Sequence, residues 1–402
     1  MHLDPRLSAG ELDVVIRNAQ VFTMDTHARV LHADVGIKDR LIAYIGTTPS
    51  AFRITSRTQR IQAKGAVLLP GFIQCHTHLV QTLFRGMAED LPLLEWLKKR
   101  IWPFEASLTK KTMQLSATMG LKELIAGGTT CILDMGTTHH HDVVFKAIAR
   151  SGIRGISGKA MMDRGPANLR EPTQRSIATS MALYERWHGA AQGRIQYAFA
   201  PRFVLSCSPA LLKHVGRIAK HTGTRIHTHI AENANERRVV RDTCGKDDLQ
   251  VLEDAGIAGP LVVLAHGVWL KKTEMKRLAR LGTRLVHCPS ANLKLASGIA
   301  DVKTMRQAGV LVGIGADGAA CNNRLDIWSE MRLAGLIAKL CHRDAAALSA
   351  MDILRMATVD AARLLNMDAT IGSIEVGKHA DLVLVRIDPS WHRQGQDLAA
   401  NL

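Results

Sequence analysis

The sequence has no stretch of apolar residues long enough to cross a membrane. A membrane-spanning helix needs about 20 consecutive apolar residues, and no such run occurs in the 402 residues of the chain. The opening stretch, MHLDPRLSAG, also lacks the apolar core of a secretory signal peptide. The seven cysteines include no Cys-x-x-Cys pair, which is typical of reduced thiols in a cytoplasm. We therefore expect a cytoplasmic protein without a membrane partner.

The sequence is also poor in aromatic and acidic residues. Phe, Trp and Tyr make up 4% of the chain, and 36 acidic residues against 52 lysines and arginines give a net charge of +16. The basic residues are scattered and form no run of five, so a nucleic-acid partner is not indicated. The His-x-Glu and Pro-Cys-x-x-Cys signature of the zinc deaminases that edit nucleic-acid bases is absent. We interpret the charge as a basic solvated surface, with attraction of anionic substrates as the alternative.

Apolar runs of strand length alternate with segments of helical period through most of the chain. Eight such runs occur, at Phe72–Cys75, Thr129–Asp134, Gly155–Met162, Ile195–Ala200, Arg225–Ile230, Leu261–Ala265, Arg284–Cys288 and Val310–Gly315. The helical segments between them include Lys111–Ala126, Pro209–His221, Ala234–Ala255 and Thr273–Leu281. Eight strand–helix units predict a closed (β/α)8 barrel of the TIM type. A doubly wound sheet is the alternative, but it would open with a Gly-rich phosphate loop, and none follows the first run.

Short strands and tight turns mark both ends of the chain. Val35–Lys38 and Leu41–Gly46 are predicted strands on either side of a turn at Asp39-Arg40, and Ile371–Lys378 and Ala380–Val385 are predicted as two more. We predict that residues 1–69 and 371–402 form one small β-sandwich domain and that residues 70–370 form the barrel. The polar stretch 388–402 is predicted to be a frayed tail.

Two histidines one residue apart end the first predicted barrel strand. Residues i and i+2 of a strand point to the same face, so His76 and His78 can direct two imidazoles at one point. Parallel barrels carry their chemistry at the C-terminal ends of the strands. Later strands end in ionisable residues as well, namely His229 and Glu232, His266, and Asp317. We expect these six side chains to converge on one pocket.

Three histidines, one carboxylate and a water molecule form a ligand set that suits zinc or, less commonly, iron(II). A bound divalent ion lowers the pKa of its water toward about 7, which supplies hydroxide at neutral pH. The second carboxylate and the fourth histidine are then free to move protons and to polarise a substrate. Two-metal barrels of similar appearance hold a modified lysine at the end of the fourth strand. This strand ends in Phe199-Ala200-Pro201-Arg202, and Lys159 lies on the third, so we infer a single metal ion.

The order of these motifs, His-x-His, His-x-x-Glu, His and Asp on successive strands, resembles the amidohydrolase superfamily from about residue 12 to residue 386. The segment Phe84–Leu97, FRGMAEDLPLLEWL, resembles the deaminases of methylthioadenosine, S-adenosylhomocysteine and 5′-deoxyadenosine, and also guanine deaminase and the triazine hydrolases. The segments Gly315–Asn323 and Glu330–Ala334 resemble the adenosine side of this branch. Relatives of this kind carry several more strands after the position of Val385, so we expect the small domain to be incomplete.

The resemblance implies a role for each residue. It implies metal binding by His76, His78, His229 and Asp317. It implies that Glu232 protonates a purine ring nitrogen, that His266 orients the attacking hydroxide, and that Asp317 carries its proton to the leaving ammonia. It further implies that Trp96 and Glu105 hold the substrate, with Glu105 accepting hydrogen bonds from ribose hydroxyls.

The chain departs from the adenosine pattern at several positions. Arg202, in Pro201-Arg202-Phe203, stands where the adenosine deaminases carry histidine and guanine deaminases carry arginine, and Gln81 also has a counterpart in guanine deaminases. Cys321 stands where a serine is common in the enzymes that accept homocysteine. Only Arg164 and Arg170 are candidates for binding a homocysteine carboxylate. This favours 5′-deoxyadenosine or methylthioadenosine over S-adenosylhomocysteine.

We therefore predict a hydrolase that removes the 6-amino group from a 5′-modified adenosine. The alternatives are a guanine deaminase and an s-triazine chlorohydrolase or aminohydrolase. A binding protein built on an inactive barrel is disfavoured because no member of the ligand set is missing. The expected cofactor is one divalent ion, zinc before iron(II), and the expected partners are a small purine nucleoside or base and further copies of the chain in a homo-oligomer.

Overall fold

A computed structural model describes residues 8–387 and 397–402 of the chain. The strands are β1 (Gly10–Glu11), β2 (Val14–Phe22), β3 (Val30–Lys38), β4 (Leu41–Ile45), β5 (Phe52–Arg53), β6 (Gln59–Gln62), β7 (Ala66–Pro70), β8 (Phe72–Thr77), β9 (Thr129–Met135), β10 (Arg154–Gly158), β11 (Ala160–Met161), β12 (Ile195–Pro201), β13 (Arg225–Ile230), β14 (Val262–His266), β15 (Arg284–His287), β16 (Val312–Ile314) and β17 (Leu382–Arg386).

The α-helices are α1 (Leu93–Trp96), α2 (Trp102–Ser107), α3 (Lys110–Ala126), α4 (Asp142–Ser151), α5 (Thr173–Trp187), α6 (Pro209–Thr222), α7 (Ala234–Cys244), α8 (Asp248–Asp254), α9 (Lys272–Leu281), α10 (Pro289–Lys294), α11 (Val302–Gln307), α12 (Ala319–Asn322), α13 (Ile327–His342), α14 (Ala350–Ala357), α15 (Val359–Leu364) and α16 (Leu398–Asn401). Short 3₁₀ helices occupy Leu79–Phe84 and Val204–Ser206, and a π-helical turn occupies Leu97–Ile101. Among the described residues, no helix combines the length and the apolarity that crossing a membrane requires.

The chain divides into two compact units. One consists of Met1–Ile73 together with Ser349–Leu402, and the other is Gln74–Leu348. The first unit therefore includes α14 and α15, which lie on the barrel side of the boundary that we predicted at residue 370. The predicted boundaries of the small domain and the barrel, 1–69 with 371–402 and 70–370, stay predictions.

The barrel strands lie in the spatial order β16, β15, β14, β13, β12, β10, β9, β8, and the strands from β9 to β16 pair in parallel. The ring of strands closes between β8 and β16, the first and last barrel strands of the chain. At this closure Thr77, at the end of β8, and Asp317, just after β16, form a parallel bridge. Strands buried on both faces are continuous apolar runs, and all five residues of β14, VVLAH, are buried. The predicted (β/α)8 barrel is confirmed, and each of the eight predicted runs overlaps one of these strands.

The helices of the barrel unit begin and end at the residues that physical rules favour. Ser208 caps α6 by accepting a hydrogen bond from the Leu211 amide, Pro209 follows at the first helical position, and Gly223 ends the helix with φ of 65°. The prediction of a single helix at Ala234–Ala255 is wrong. The segment is divided into α7 and α8 because Gly245 adopts a left-handed conformation with φ of 68°.

The unit formed by the chain ends contains a six-stranded sheet in the order β17, β7, β2, β3, β4, with β6 beside β2, and a separate two-stranded ladder of β1 and β5. The predicted turn at Asp39-Arg40 joins β3 to β4, with positive φ at both residues. The prediction of a strand at Ile371–Lys378 is wrong, since this stretch forms turns. A sandwich of two packed sheets is not confirmed and stays a prediction.

The predicted frayed tail at 388–402 lies mostly outside the described residues, which omit 388–396. Its described part is the short helix α16, so the prediction of a frayed end is wrong for Leu398–Asn401. The cause is a cap that the composition alone did not reveal, because Asp397 accepts hydrogen bonds from the Ala399 and Ala400 amides.

Candidate metal centre and substrate cleft

His76 and His78 leave the end of β8 with their Nε2 atoms directed at the same point. The Nδ1 atom of His78 lies 2.7 Å from the Met135 carbonyl oxygen, so this nitrogen must be the donor. The Nδ1 atom of His76 lies 2.7 Å from His227 Nε2, and His227 Nδ1 in turn donates to the Val263 carbonyl at 3.1 Å. Since each Nδ1 carries the proton, both Nε2 atoms present a lone pair.

His229 on β13 and His266 on β14 are fixed in the same way. The Nδ1 of His229 donates to the Arg202 carbonyl at 2.6 Å, and the Nδ1 of His266 donates to Asn292 Oδ1 at 2.9 Å. Burial lowers the pKa of both imidazoles, which keeps them neutral near pH 7. Four neutral histidines therefore present unprotonated Nε2 atoms to one another.

Asp317 completes the cluster from the end of the eighth barrel strand. Its Oδ1 lies 3.3 Å from the Nε2 atoms of both His76 and His78, and its Oδ2 lies 3.8 Å from His266 Nε2. Burial alone would raise the pKa of Asp317, but the positive charge that the neighbouring histidines carry when protonated lowers it well below its usual value. A cation bound between the same side chains would act in the same direction and would keep the carboxylate ionised while the histidines are neutral.

This donor set fits a divalent cation. The nitrogen or oxygen atoms of His76, His229 and His266, and those of His76, His78 and Asp317, lie within 4.8 Å of one another in each group. The Nε2 atoms of His76 and His266 are buried, and neither has a hydrogen-bond partner among the described residues. Buried polar atoms left in this way are uncommon unless a ligand satisfies them. A hydrogen bond to a carbonyl or amide oxygen behind a metal-binding histidine is also a usual feature of metal sites.

Glu232 lies beside the cluster, where its Oε2 is 3.5 Å from His266 Nε2. Burial, and then the negative charge of Asp317, raise the pKa of Glu232 well above its usual value. Glu236 belongs to the capping box at the start of α7, whose N-cap residue is Asn233. Its carboxylate accepts hydrogen bonds from the backbone amides of Glu232 and Asn233 at 2.9 and 3.2 Å. The two carboxyl groups at this face, Glu232 and Asp317, are thus prepared for opposite protonation states, which is the usual arrangement of an acid and a base.

Comparisons with known proteins agree with this geometry. The family model described as "Amidohydrolase family" matches residues 67–400. The chain belongs to the amidohydrolase family.

Two curated relatives of this amidohydrolase cover most of its length. A 5′-deoxyadenosine deaminase of Methanobrevibacter smithii is 41% identical over 87% of this chain and 78% of the relative. A 5-methylthioadenosine/S-adenosylhomocysteine deaminase of Desulforudis audaxviator is 37% identical over 93% and 85%. The crystal structure of an adenosine deaminase from Xanthomonas campestris with bound zinc superposes with a TM-score of 0.90 at 32% identity, over 98% of this chain and 89% of that one.

The amidohydrolase barrel has a cleft at the C-terminal ends of its strands, next to the cluster. Apolar walls come from Leu93, Trp96, Leu97 and Phe203, and polar groups come from His78, Gln81, Arg202, His229, Glu232 and Asp317. Trp96 is 5% exposed, and its indole N–H has no hydrogen-bond partner among the described residues. A cleft that combines apolar walls with several converging polar groups is typical of sites for small ligands.

Glu105 and Arg202, which we expected to serve two different substrates, form one buried ion pair. Arg202 Nη1 lies 2.6 Å from Glu105 Oε2, and Arg202 Nη2 lies 3.0 Å from Glu105 Oε1. Gln81 Nε2 and Thr137 Oγ1 donate to the same carboxylate at 3.0 and 2.9 Å. The structure thus brings Gln81, Glu105 and Arg202 together, but Glu105 is not among the residues that line the cleft.

Other residues singled out from the sequence do not line the cleft. Arg164 and Arg170 are exposed. Lys159 is buried in an ion pair with Glu171. Cys321 is buried on α12, where its thiol donates to the Gly318 carbonyl.

Sequence reasoning missed the residues that orient the site. The role of His227 could have been inferred, because His227 stands two residues before His229 and therefore lies on the same face of β13. Thr137 lies in the loop after β9 and Asn292 lies on the short helix α10 after β15, and no local pattern distinguishes them from ordinary polar residues. Their roles depend on which side chains the fold brings near.

Proposed function

We propose that this amidohydrolase is a metal-dependent deaminase that hydrolyses the 6-amino group of a 5′-modified adenosine, such as 5′-deoxyadenosine or 5′-methylthioadenosine. Water adds its oxygen at C6 of the purine, the C6–N bond breaks, and the products are the inosine analogue and ammonia. The observation that carries the proposal is the buried cluster of histidine Nε2 atoms and Asp317, with the carboxyl group of Glu232 beside it. The names of the curated relatives support the same reaction.

The residues that would hold the metal are His76, His78, His229 and Asp317. Three imidazoles and one carboxylate favour zinc, with iron(II) as the second choice, and the zinc in the Xanthomonas campestris structure is consistent with this order. When bound, such an ion lowers the pKa of a water molecule and so provides a hydroxide nucleophile near neutral pH.

Three side chains of the chain itself handle the protons. Glu232, kept protonated by burial and by Asp317, donates a proton from its carboxyl group to a ring nitrogen of the purine. His266 is neutral and presents its Nε2 lone pair, which accepts a hydrogen bond from the attacking water and orients it. Asp317 is ionised and accepts the proton of the nucleophile, which it passes to the departing nitrogen.

The cleft walls position the purine. Trp96, Leu93 and Phe203 offer apolar surface for a flat ring. Arg202 and Gln81 are two of the polar residues that line the cleft. Arg202 favours the second candidate, guanine deamination, because a guanidinium can donate to a purine oxygen, and Gln81 favours it because it has a counterpart in guanine deaminases. We prefer a 5′-modified adenosine to guanine as the substrate, because the two relatives that align with most of the chain are named as deaminases of adenosine derivatives.

A substrate panel tests the proposal. Purified protein, loaded with zinc or iron(II), is assayed for ammonia release from adenosine, 5′-deoxyadenosine, methylthioadenosine, S-adenosylhomocysteine, guanine and 8-oxoguanine. We expect the highest kcat/KM for 5′-deoxyadenosine or methylthioadenosine. Faster release from guanine than from every 5′-modified adenosine would replace the first candidate with the second, and no release from any purine would reject both.

A further inference from the structure

The carboxylate of Glu105 has no acceptor position left for a substrate. An ionised carboxylate offers about four lone-pair directions. Four protein donors fill them, since Gln81 and Arg202 donate to Oε1 while Arg202 and Thr137 donate to Oε2, at distances of 2.6 to 3.0 Å. A ribose hydroxyl could reach this carboxylate only by displacing one of these groups.

The surroundings of Glu105 keep this arrangement closed. The side chain of Glu105 is completely buried, with 0% exposure, and that of Arg202 is 4% exposed. Breaking a buried ion pair by withdrawing one partner leaves an uncompensated charge, which is strongly unfavourable. Arg202 is further anchored through its backbone, whose carbonyl accepts from His229 Nδ1. Glu105 therefore holds the guanidinium of Arg202 in a fixed position beside the cleft.

Arg202 and Gln81 face the cleft, whereas Glu105 lies behind them. Because Glu105 only accepts hydrogen bonds, the amide group of Gln81 must turn its nitrogen toward Glu105 and its oxygen away. That oxygen is buried and has no hydrogen-bond partner among the described residues. It packs against Gly318, where an added Cβ would come within 2.3 Å of it, so only glycine leaves room for the oxygen next to Asp317.

We propose that Glu105 is a positioning residue, which acts on the substrate through Arg202 and Gln81 and does not touch it. The groups that contact the substrate are then the guanidinium of Arg202, which donates to acceptor atoms, and the carbonyl oxygen of Gln81, which accepts from an N–H or O–H group. This inference rests on the proposed deaminase function. It replaces our expectation that Glu105 accepts hydrogen bonds from ribose hydroxyls.

The test compares two substrates that differ only in the ribose diol, 5′-deoxyadenosine and 2′,3′,5′-trideoxyadenosine. The variants are Glu105→Gln, Arg202→Met and the double variant, each assayed as the metal-loaded enzyme. We expect Glu105→Gln to raise KM at least tenfold on both substrates, to the same extent within threefold. Its kcat should change by less than threefold, because Glu232 and the metal-binding residues are untouched. The double variant should be no worse than Arg202→Met alone, since the two residues act as one unit.

The outcomes separate direct contact from positioning. A loss in Glu105→Gln that is at least tenfold larger on 5′-deoxyadenosine than on the trideoxy substrate would show direct binding of the diol and overturn the inference. Multiplicative losses in the double variant, or a fall in kcat with unchanged KM, would overturn it as well. Glu95→Gln is the matched control, because Glu95 lies nearby in sequence in an exposed pair with Lys99, and it should leave KM unchanged. An inactive wild-type enzyme would instead reject the proposed function on which the inference depends.

Discussion

The rings of His78 and His229 are nearly parallel, with centroids 5.4 Å apart and 4° between their planes, and their Nε2 atoms lie 3.3 Å apart. Neither atom can donate a hydrogen bond to the other, because each ring already donates its Nδ1 proton to a backbone carbonyl. Two lone pairs at this distance repel unless a cation lies between them. The fold therefore holds these two rings in the geometry of metal ligands.

The first prediction concerns metal content. Purified protein should contain about one zinc or iron ion per chain. His229→Ala or Asp317→Asn should remove the ion or leave it inert, because each deletes one member of the ligand set. Elemental analysis by mass spectrometry measures the content. His221→Ala, which changes an exposed histidine on α6, is the control and should keep the metal. Two tightly held ions per chain would contradict the single site.

The second prediction separates proton transfer from metal binding. Glu232→Gln should keep the metal and the melting temperature, since Glu232 is not assigned as a ligand. Its kcat should fall by about 10²–10⁴, the usual contribution of a general acid. Steady-state ammonia release, with metal content measured on the same sample, gives the result. Full activity in this variant would show that another group protonates the ring.

The third prediction concerns Asn292, whose side-chain oxygen accepts the Nδ1 proton of His266. Asn292→Leu removes this acceptor, so His266 is free to carry its proton on Nε2 and can no longer accept from water. We expect kcat to fall on the order of 10–100-fold, the range seen when the partner behind a histidine of a metal site is lost. Asn235→Leu, at an exposed position of α7, is the matched control. Unchanged kcat in Asn292→Leu would mean that the tautomer of His266 has no role.

The fourth prediction is a pH dependence of stability. Burial lowers the pKa of His141 to about 3, below the value of about 6.5 in an unfolded chain. Between these values the unfolded state binds the extra proton, so His141 stabilises the fold fully above about pH 6.5 and this contribution is lost as the pH falls toward 3. The difference in unfolding free energy between wild type and His141→Asn should therefore shrink by about 1.4 kcal/mol per pH unit below pH 6.5. Urea unfolding at pH 7.0 and 5.5 measures it, and a constant difference would contradict the burial argument.

The barrel was predictable from the sequence because its strands are continuous apolar runs that alternate with segments of helical period. The turn at Asp39-Arg40 was predictable for a similar local reason. The stretch Ile371–Lys378 was predicted as a strand, yet it forms turns, and Ile374 packs into the core of the sheet from a turn. Apolar residues in a short stretch do not by themselves determine the backbone conformation, since a turn can bury one of them as well as a strand can.

The convergence of His76, His78, His229, His266, Glu232 and Asp317 at one face could be inferred from their positions at strand ends, without any knowledge of their contacts. The pairing of Glu105 with Arg202 could not. These residues are 97 positions apart, and each by itself matches the substrate-binding residue of a different deaminase. Only the folded structure shows that one neutralises the other.

The closure of the barrel has a consequence for how the chain assembles. The backbone amide of Asp317 donates to the His76 carbonyl at 3.0 Å, and the Ala316 amide donates to the side chain of Gln74, which is 242 residues away in sequence. Contacts of such long range close a long loop, and their formation costs more conformational entropy than that of local contacts. His76 and Asp317 meet where the barrel closes and are also proposed metal ligands. A bound ion would therefore join the first and last barrel strands as well as serve the reaction, and we expect it to stabilise the closed barrel.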